Sequence, residues 1–367
     1  MTPTRWAILT GEYPPQPGGV ADYTAQVAAG LAAAGDAVTV YAPPCVAAPA
    51  TGVEVVCLPD HFGPRGLVAL DRALARTRPH RVLVQYTAQV FGMKGLNLPF
   101  AAWLAARVRR PWVMFHEVRV ETRPRWPDLV LGPTTAVTAR LIASAAGRVF
   151  VSIPAWGEVL RRLAPRAPRA EWLPVPSNLP TAATAERPAG GTVVGHFGTF
   201  GPAVTGLLEP ALVRLLAAGG DRSVALLGRG GGEFRDRFAD RHPALRDRLT
   251  APGELPPAAV AARLRGCDVL VQPFVDGIST RRTSAMAGLA NGVPVVTNLG
   301  PLSEPVWTGL GCVALAPAPD PTGLAATAEA VLALTAADRA ALGARGAAVY
   351  RERFGLESTL AKLRGAP

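Results

Sequence analysis

Cysteine is scarce and never paired: Cys45, Cys57, Cys267 and Cys312 stand singly, with no CxxC spacing and no histidine at a zinc-finger interval. That excludes a disulfide-stapled fold and a structural zinc site. Cys57, Cys267 and Cys312 lie in or beside apolar runs and are expected to be buried thiols. No stretch approaches the roughly 18 continuous apolar residues that a membrane span needs. The opening MTPTRWAILTGEYPP carries an apolar run too short for a signal peptide. The expectation is a soluble, cytoplasmic protein, with peripheral contact on the inner membrane face as the open alternative. GxGxxG and the P-loop pattern are absent, so the NAD and P-loop readings fail on spacing. No RNP-like, zinc-finger or helix-turn-helix pattern appears, so nucleic acid is not an expected partner. Lysine is nearly missing: Lys94 and Lys362 aside, the net charge of +11 is carried by arginine. Of 38 basic residues, 19 lie in residues 1–180, with only 11 of the 27 acidic ones, so the excess sits in the first half. Such a balance favours an anionic acceptor or an acidic membrane face.

What is present is a long α/β pattern. The 367 residues suffice for two domains, and 49% are apolar, far too many for a disordered chain. Short β-branched runs alternate with Ala/Leu/Arg helical stretches. Strands are expected at residues 6–11, 37–43, 53–58, 81–86, 112–118, 148–153 and 171–176 in the first half. In the second they are expected at 192–198, 223–228, 269–274, 293–298 and 312–317, with a weaker one at 248–253. Bare apolar strands separated by helices indicate parallel sheets covered on both faces. The stretch VPSNLPTAATAERPAGG (175–191) has no periodicity and reads as a linker. The expectation is therefore two Rossmann-like, doubly wound domains, 1–180 and 181–350, facing across a cleft. A last segment, 351–367, is expected to form a helix that packs back toward the first domain. Ligands in such sheets bind beyond the carboxyl ends of the strands.

Five strand-end loops are therefore suspect: 12–23, 85–95, 116–121, 195–201 and 276–282. In the first, Gly18 and Gly19 open a helix, where backbone N–H groups can approach a phosphate. A plain tight turn is the equal alternative. His116 ends an otherwise apolar strand, placed to donate to a sugar hydroxyl or move a proton; a structural cap on the sheet reads equally well. Of the other histidines only His196 stands at a comparable strand end. The stretch VDGISTRRTSAMAGLANGVPVVTN carries the sharpest signal. Gly277 allows a turn, and Ser279 or Thr280 is expected to cap a helix. Arg281 and Arg282 are then expected in its first turn, where the helix dipole disfavours cations. Two arginines there make sense if a dianion docks, with Thr283 and Ser284 adding hydroxyl donors. A diphosphate is the preferred ligand; simple solvation of both side chains is the alternative.

With these segments in view, the chain resembles the GT-B glycosyltransferases of the large retaining group, glycosyltransferase family 4-like. The carriers are residues 12–43, FHE at 115–117, VSIPAW at 151–156, LRGCDVLVQPF at 264–274 and ANGVPVVTNLGPLSEPV at 290–306. The resemblance implies sugar transfer from a nucleotide-diphosphate-sugar donor, used as a substrate with no resident cofactor. It implies no metal, in keeping with the absence of a DxD motif. The donor would be held mainly by the second domain, and the anomeric configuration retained. By position Gly18 and Gly19 match the phosphate-contacting glycines, His116 the histidine on the transferred sugar, and Glu304 the glutamate after the PVV strand. Gly253 falls in the loop bordering the base, and Gly198 and Thr199 in the loop after the first strand of the donor domain. The acceptor is a hydroxyl on a glycan, a lipid-linked sugar or a small molecule.

The chain also departs from that pattern. Two glutamates with seven residues between them are usual before the GxPVV stretch; counted forward from Asp276 the second falls on Ser284, and counted back from Gly292 the pair becomes Ser279 and Ala287. The ribose glutamate is absent either way. GHFGTFG lacks the family's arginine and lysine, and Arg281 and Arg282 are read as substitutes. Asp276 is expected to position a sugar hydroxyl. The altered glutamates leave two other readings open: an epimerase or pseudo-glycosyltransferase of the same fold, and a non-catalytic sugar-nucleotide or glycan-binding protein. In the segment 85–110, Trp103, Leu104 and Val108 beside Arg107, Arg109 and Arg110 fit either a core-packing helix or a lipid-facing surface.

Overall fold

A computed structural model describes residues 3–44, 51–120, 126–187 and 190–365. The chain divides into two compact units: Met1–Val175 with Leu356–Pro367, and Pro176–Gly355.

The first unit carries strands β1 (Arg5–Thr10), β2 (Ala37–Ala42), β3 (Val53–Cys57), β4 (Pro59–Phe62), β5 (Arg81–Tyr86), β6 (Trp112–Phe115), β7 (Arg148–Val151) and β8 (Glu171–Trp172). Its helices are α1 (Gly19–Ala33), α2 (Pro64–Thr77), α3 (Leu98–Arg107), α4 (Trp126–Ala145) and α5 (Pro154–Leu163). Seven strands form one sheet in the order β3-β2-β1-β5-β6-β7-β8, with parallel neighbours throughout. The order reverses between β1 and β5, which makes their carboxyl ends the expected ligand edge. Both sheet faces are covered: Leu9, Val84, Val113 and Val151 pack toward Leu70, Phe100 and Leu104, while Ile8, Leu83, Met114 and Phe150 pack toward Val27 and Leu31. Burial on both sides is why these strands read as unbroken apolar runs.

The second unit carries β9 (Thr192–Phe197), β10 (Arg222–Leu227), β11 (Leu249–Thr250), β12 (Val269–Gln272), β13 (Val295–Asn298) and β14 (Ala314–Ala316). Its helices are α6 (Pro202–Ala218), α7 (Gly231–Arg241), α8 (Pro257–Arg265), α9 (Thr283–Ala290), α10 (Val306–Leu310), α11 (Pro321–Leu332) and α12 (Ala336–Val349). The sheet order β11-β10-β9-β12-β13-β14 is again all parallel, and it reverses between β9 and β12. The last helix, α13 (Leu356–Arg364), belongs to the first unit. Arg364 Nε lies 3.1 Å from Asp36 Oδ2, and Lys362 Nζ donates to the Trp172 carbonyl at 2.9 Å.

Of the cysteines, Cys267 and Cys312 are buried, as apolar surroundings dictate. Cys57 is exposed, against expectation, because β3 is the sheet's edge strand and Cys57 stands at its end. Cys45 lies outside the described residues.

Candidate functional site

In the second unit, the loop after β12 is tied down from three sides. Asn298, at the end of β13, accepts from the Phe274 N–H through Oδ1 at 2.9 Å and donates to the Phe274 carbonyl through Nδ2 at 2.7 Å. Gly277, at φ +85°, lies against Gly300, and a β-carbon there would approach the Gly300 α-carbon to 2.6 Å. Glu304 is 5% exposed and takes three donors: Thr280 N–H at 2.9 Å, Thr280 Oγ1 at 2.5 Å and Trp307 Nε1 at 2.7 Å. Each tie joins the loop to a segment more than twenty residues on in sequence or to the β12 exit, so the loop is preorganised before any ligand arrives.

This loop presents the arginine pair. The Arg281 Nη2 lies 2.6 Å from Asp276 Oδ2, and the Arg282 guanidinium pairs with the other carboxylate oxygen. Arg282 also stacks over the Phe274 ring at 4.7 Å. The three charged side chains retain only 18%, 27% and 20% exposure for Arg281, Arg282 and Asp276. One carboxylate fixes two cations, leaving a net positive group at the carboxyl edge of the sheet.

Three expectations need correction here. The helix begins at Thr283, so Arg281 and Arg282 precede it rather than occupy its first turn; Arg282 N–H instead closes a turn on the Ser279 carbonyl at 3.0 Å. Neither Ser279 nor Thr280 caps the helix, because both are fully buried and the Thr280 hydroxyl is bound to Glu304. Asp276 directs both oxygens at arginines, so in this arrangement it positions them rather than a sugar hydroxyl. Glu304 likewise acts inward, as the clamp on Thr280. Thr283 and Ser284 are half-buried in the first turn of α9. Gly198 lies just past β9, with its N–H bonded to the Leu227 carbonyl at 3.0 Å. Ser284 lies beside Gly198, 3.7 Å from the position a Gly198 β-carbon would take. Thr199 and Gly253 are exposed, and a β-carbon on Gly253 would meet only open space.

In the first unit, the Gly18–Gly19 turn does open α1, but the two amides that follow it, Val20 and Ala21 N–H, are already engaged. Glu12 Oε1 accepts from Val20 and Ala21 N–H, both at 3.0 Å, and a β-carbon on Gly18 would collide with that carboxylate. Two of the amides expected to meet a phosphate are thus held by the chain's own carboxylate, and a second anion there would be opposed by like charge. Burial, ahead of the opposing pull of those two amides, raises the Glu12 pKa. Gly19 itself remains exposed.

His116 lies just past β6 and is 7% exposed. Nε2 is 2.9 Å from Gln85 Oε1 on β5, and the ring packs edge-on against Tyr23 of α1 at 4.8 Å. Its carbonyl accepts from Ser152 Oγ and Trp156 Nε1, both at 2.9 Å. Burial pushes the imidazole pKa down to about 3, so the ring is neutral. A neutral imidazole can orient a hydroxyl but is a weak base, which argues against the proton-moving role.

In the helix at 98–107 and just after it, Leu104 and Val108 are buried in the same core as Phe100 and Ala139, while Arg107 is exposed and pairs with Asp71 at 2.7 Å. Among the described residues, no helix is long and apolar enough to cross a membrane, and no three His, Cys, Asp or Glu side chains group as a metal site.

Two parallel sheets of this order, each with helices on both faces, are the two Rossmann-like domains of the GT-B fold. Residues 18–176 match the family described as Glycosyl transferase 4-like domain. Solved structures agree over nearly the whole length. Sucrose-phosphate synthase from Thermosynechococcus elongatus superimposes with a TM-score of 0.72 at 19% identity, over 98% of this chain and 97% of that one. HepE from Anabaena, in complex with UDP and glucose, gives 0.68 at 15% identity, over 98% of both chains. An α,α-trehalose-phosphate synthase from Burkholderia xenovorans, in complex with glucose-6-phosphate, gives 0.67 at 14% identity, also over 98% of both. No curated protein matches the chain in sequence.

Proposed function

We propose that the protein is a retaining glycosyltransferase that moves a hexosyl group from a nucleoside-diphosphate sugar to a hydroxyl acceptor, without a metal ion. The observation that carries this reading is the Arg281–Arg282 pair, fixed by Asp276 at the start of α9 and at the carboxyl edge where the sheet order reverses. As the glycosidic bond breaks, negative charge gathers on the departing diphosphate. Guanidinium donors already held in place stabilise that charge with little reorganisation, which is the largest catalytic term such a site can offer. The N-terminus of α9 adds a favourable dipole at the same end. Arginine suits the task because its planar fork matches two phosphate oxygens at once.

In the first unit, neutral His116 is assigned to orienting a sugar hydroxyl. HepE has been solved with UDP-glucose, and the trehalose-phosphate synthase relatives are UDP-forming, which makes UDP-glucose the first donor to try. The test is thermal-shift screening of UDP-glucose, GDP-mannose, ADP-glucose and dTDP-glucose, followed by assay of nucleotide release with sugar acceptors. Ligand at a hundred times its Kd raises stability by about 2.7 kcal/mol, which is easily read as a melting shift. A flat response to all four donors would remove the assignment; an epimerised donor with no transfer would replace it with the epimerase reading.

A further inference from the structure

His196 is a buried polar side chain for which the diphosphate chemistry has no use. It lies in β9, is 2% exposed, and packs edge-on against Phe200 at 5.1 Å. Its Nδ1 stands 2.8 Å from the Val271 carbonyl on the neighbouring strand β12. A carbonyl only accepts, so Nδ1 carries the proton and Nε2 presents a lone pair. Burial holds the pKa down to about 4, which keeps the ring neutral at physiological pH. Nε2 is itself buried and has no hydrogen-bond partner among the described residues. A buried acceptor left in this way carries a desolvation cost that a donating ligand would relieve.

The surroundings say where that ligand atom would sit. A β-carbon placed on Gly198 would be 3.9 Å from His196 Nε2 and 3.8 Å from Ser284 Oγ. The imidazole nitrogen and the serine hydroxyl therefore converge on the small space beside the Gly198 α-carbon, which the missing side chain keeps open. Ser284 follows the arginine pair by two residues, in the first turn of α9.

We propose that His196 Nε2 and Ser284 Oγ form a hydroxyl-reading subsite in the second unit, which takes a hydroxyl of the nucleotide's ribose or of the transferred sugar. The inference rests on the nucleotide-sugar reading given above. A phosphate oxygen is excluded from this position because it brings no proton and would face a lone pair, whereas a hydroxyl donates to Nε2 and accepts from Ser284. Imidazole and serine together can read a hydroxyl without adding a negative charge close to a diphosphate.

The experiment is titration calorimetry on the full chain. The parent donor is whichever of UDP-glucose, GDP-mannose, ADP-glucose or dTDP-glucose binds the wild type most tightly. It is compared with its 2′-deoxyribose, 3′-deoxyribose and deoxy-sugar analogues, against wild type, Ser284→Ala and His196→Phe. Loss of one hydroxyl is expected to weaken wild-type binding about tenfold or more. Both variants are expected to bind the parent about tenfold more weakly and to lose nothing further on that same analogue, the signature of a direct contact. A ribose analogue giving this pattern assigns the subsite to the nucleotide, and a sugar analogue assigns it to the transferred group. His196→Phe also breaks the bond to Val271, so Ser284→Ala, which leaves it intact, decides if the former melts early. Variants that bind the parent as wild type does, or that lose the same factor on every analogue, overturn the subsite and leave the nucleotide-sugar reading standing. A wild type that binds none of the four donors overturns both.

Discussion

Replacing Glu304 by glutamine tests whether the arginine loop is preorganised by its clamp. The carboxylate answers three donors with two oxygens: Oε1 takes Thr280 N–H and Oγ1, and Oε2 takes Trp307 Nε1. Glutamine brings one oxygen and one NH2. If the oxygen keeps Thr280, the NH2 faces the Trp307 N–H; if it keeps Trp307, both Thr280 donors face the NH2. The cheaper arrangement leaves two donors unsatisfied where Trp307 is fully buried, at about 1–3 kcal/mol each, so the loss is about 2–6 kcal/mol. For a unit of this size that lowers the melting midpoint by roughly 5–15 °C. Thermal unfolding by circular dichroism reads the shift, and donor turnover below the new midpoint should also fall, because Thr280 adjoins Arg281. A midpoint within a degree of wild type, with full turnover, would refute the claim that Glu304 fixes the loop.

Three further outcomes are expected. Gly277→Ala introduces a β-carbon at φ +85° against the Gly300 backbone, costing about 2–4 kcal/mol by chemical denaturation; an unchanged midpoint would contradict the close approach. Glu12→Ala removes the acceptor for Val20 and Ala21 N–H, a loss of about 1 kcal/mol typical of a helix cap, which calorimetric unfolding can measure. For pH, His116 is held neutral at a folded pKa of about 3 against 6.5 unfolded. The unfolded chain therefore takes up the proton first, and the stability due to His116 is complete above about pH 6.5 and lost as pH falls toward 3. Denaturant midpoints should drop between pH 7.5 and pH 5, and less so in His116→Phe; equal slopes in the two proteins would contradict the buried neutral imidazole.

Much of this fold is legible in the sequence because buried parallel strands advertise themselves. RVLVQY, SVALLG and VPVVTN have no polar face to confuse the pattern, and β5, β10 and β13 fall within two residues of where the runs place them. The site is less legible, and each miss has a distant cause. STRRTS (279–284) reads locally as a helix cap, yet Thr280 is claimed by Glu304, 24 residues away. Gly18–Gly19 reads as an anion cradle, yet Glu12 folds back across the Pro-rich loop to fill it. Asn298, which pins Phe274 in both directions, carries no signal beyond being a polar residue at a strand end. His196 did show one, a histidine in an apolar strand. What no local pattern gives is that its free nitrogen and the Ser284 hydroxyl meet over Gly198. Cys57 looked buried because β3 looked like its neighbours; an edge position is a property of sheet order, which a single strand does not encode.

The central claim is that Arg281 and Arg282 stabilise a departing diphosphate, and single substitutions isolate it. In Arg281→Ala or Arg282→Ala, Asp276 keeps the other guanidinium as its partner, so the loop should stay folded while one anion-stabilising donor is lost. Steady-state turnover of the best nucleoside-diphosphate sugar, measured for wild type and both variants, is predicted to fall on the order of 10²-fold in each. Turnover within threefold of wild type in both variants would contradict it.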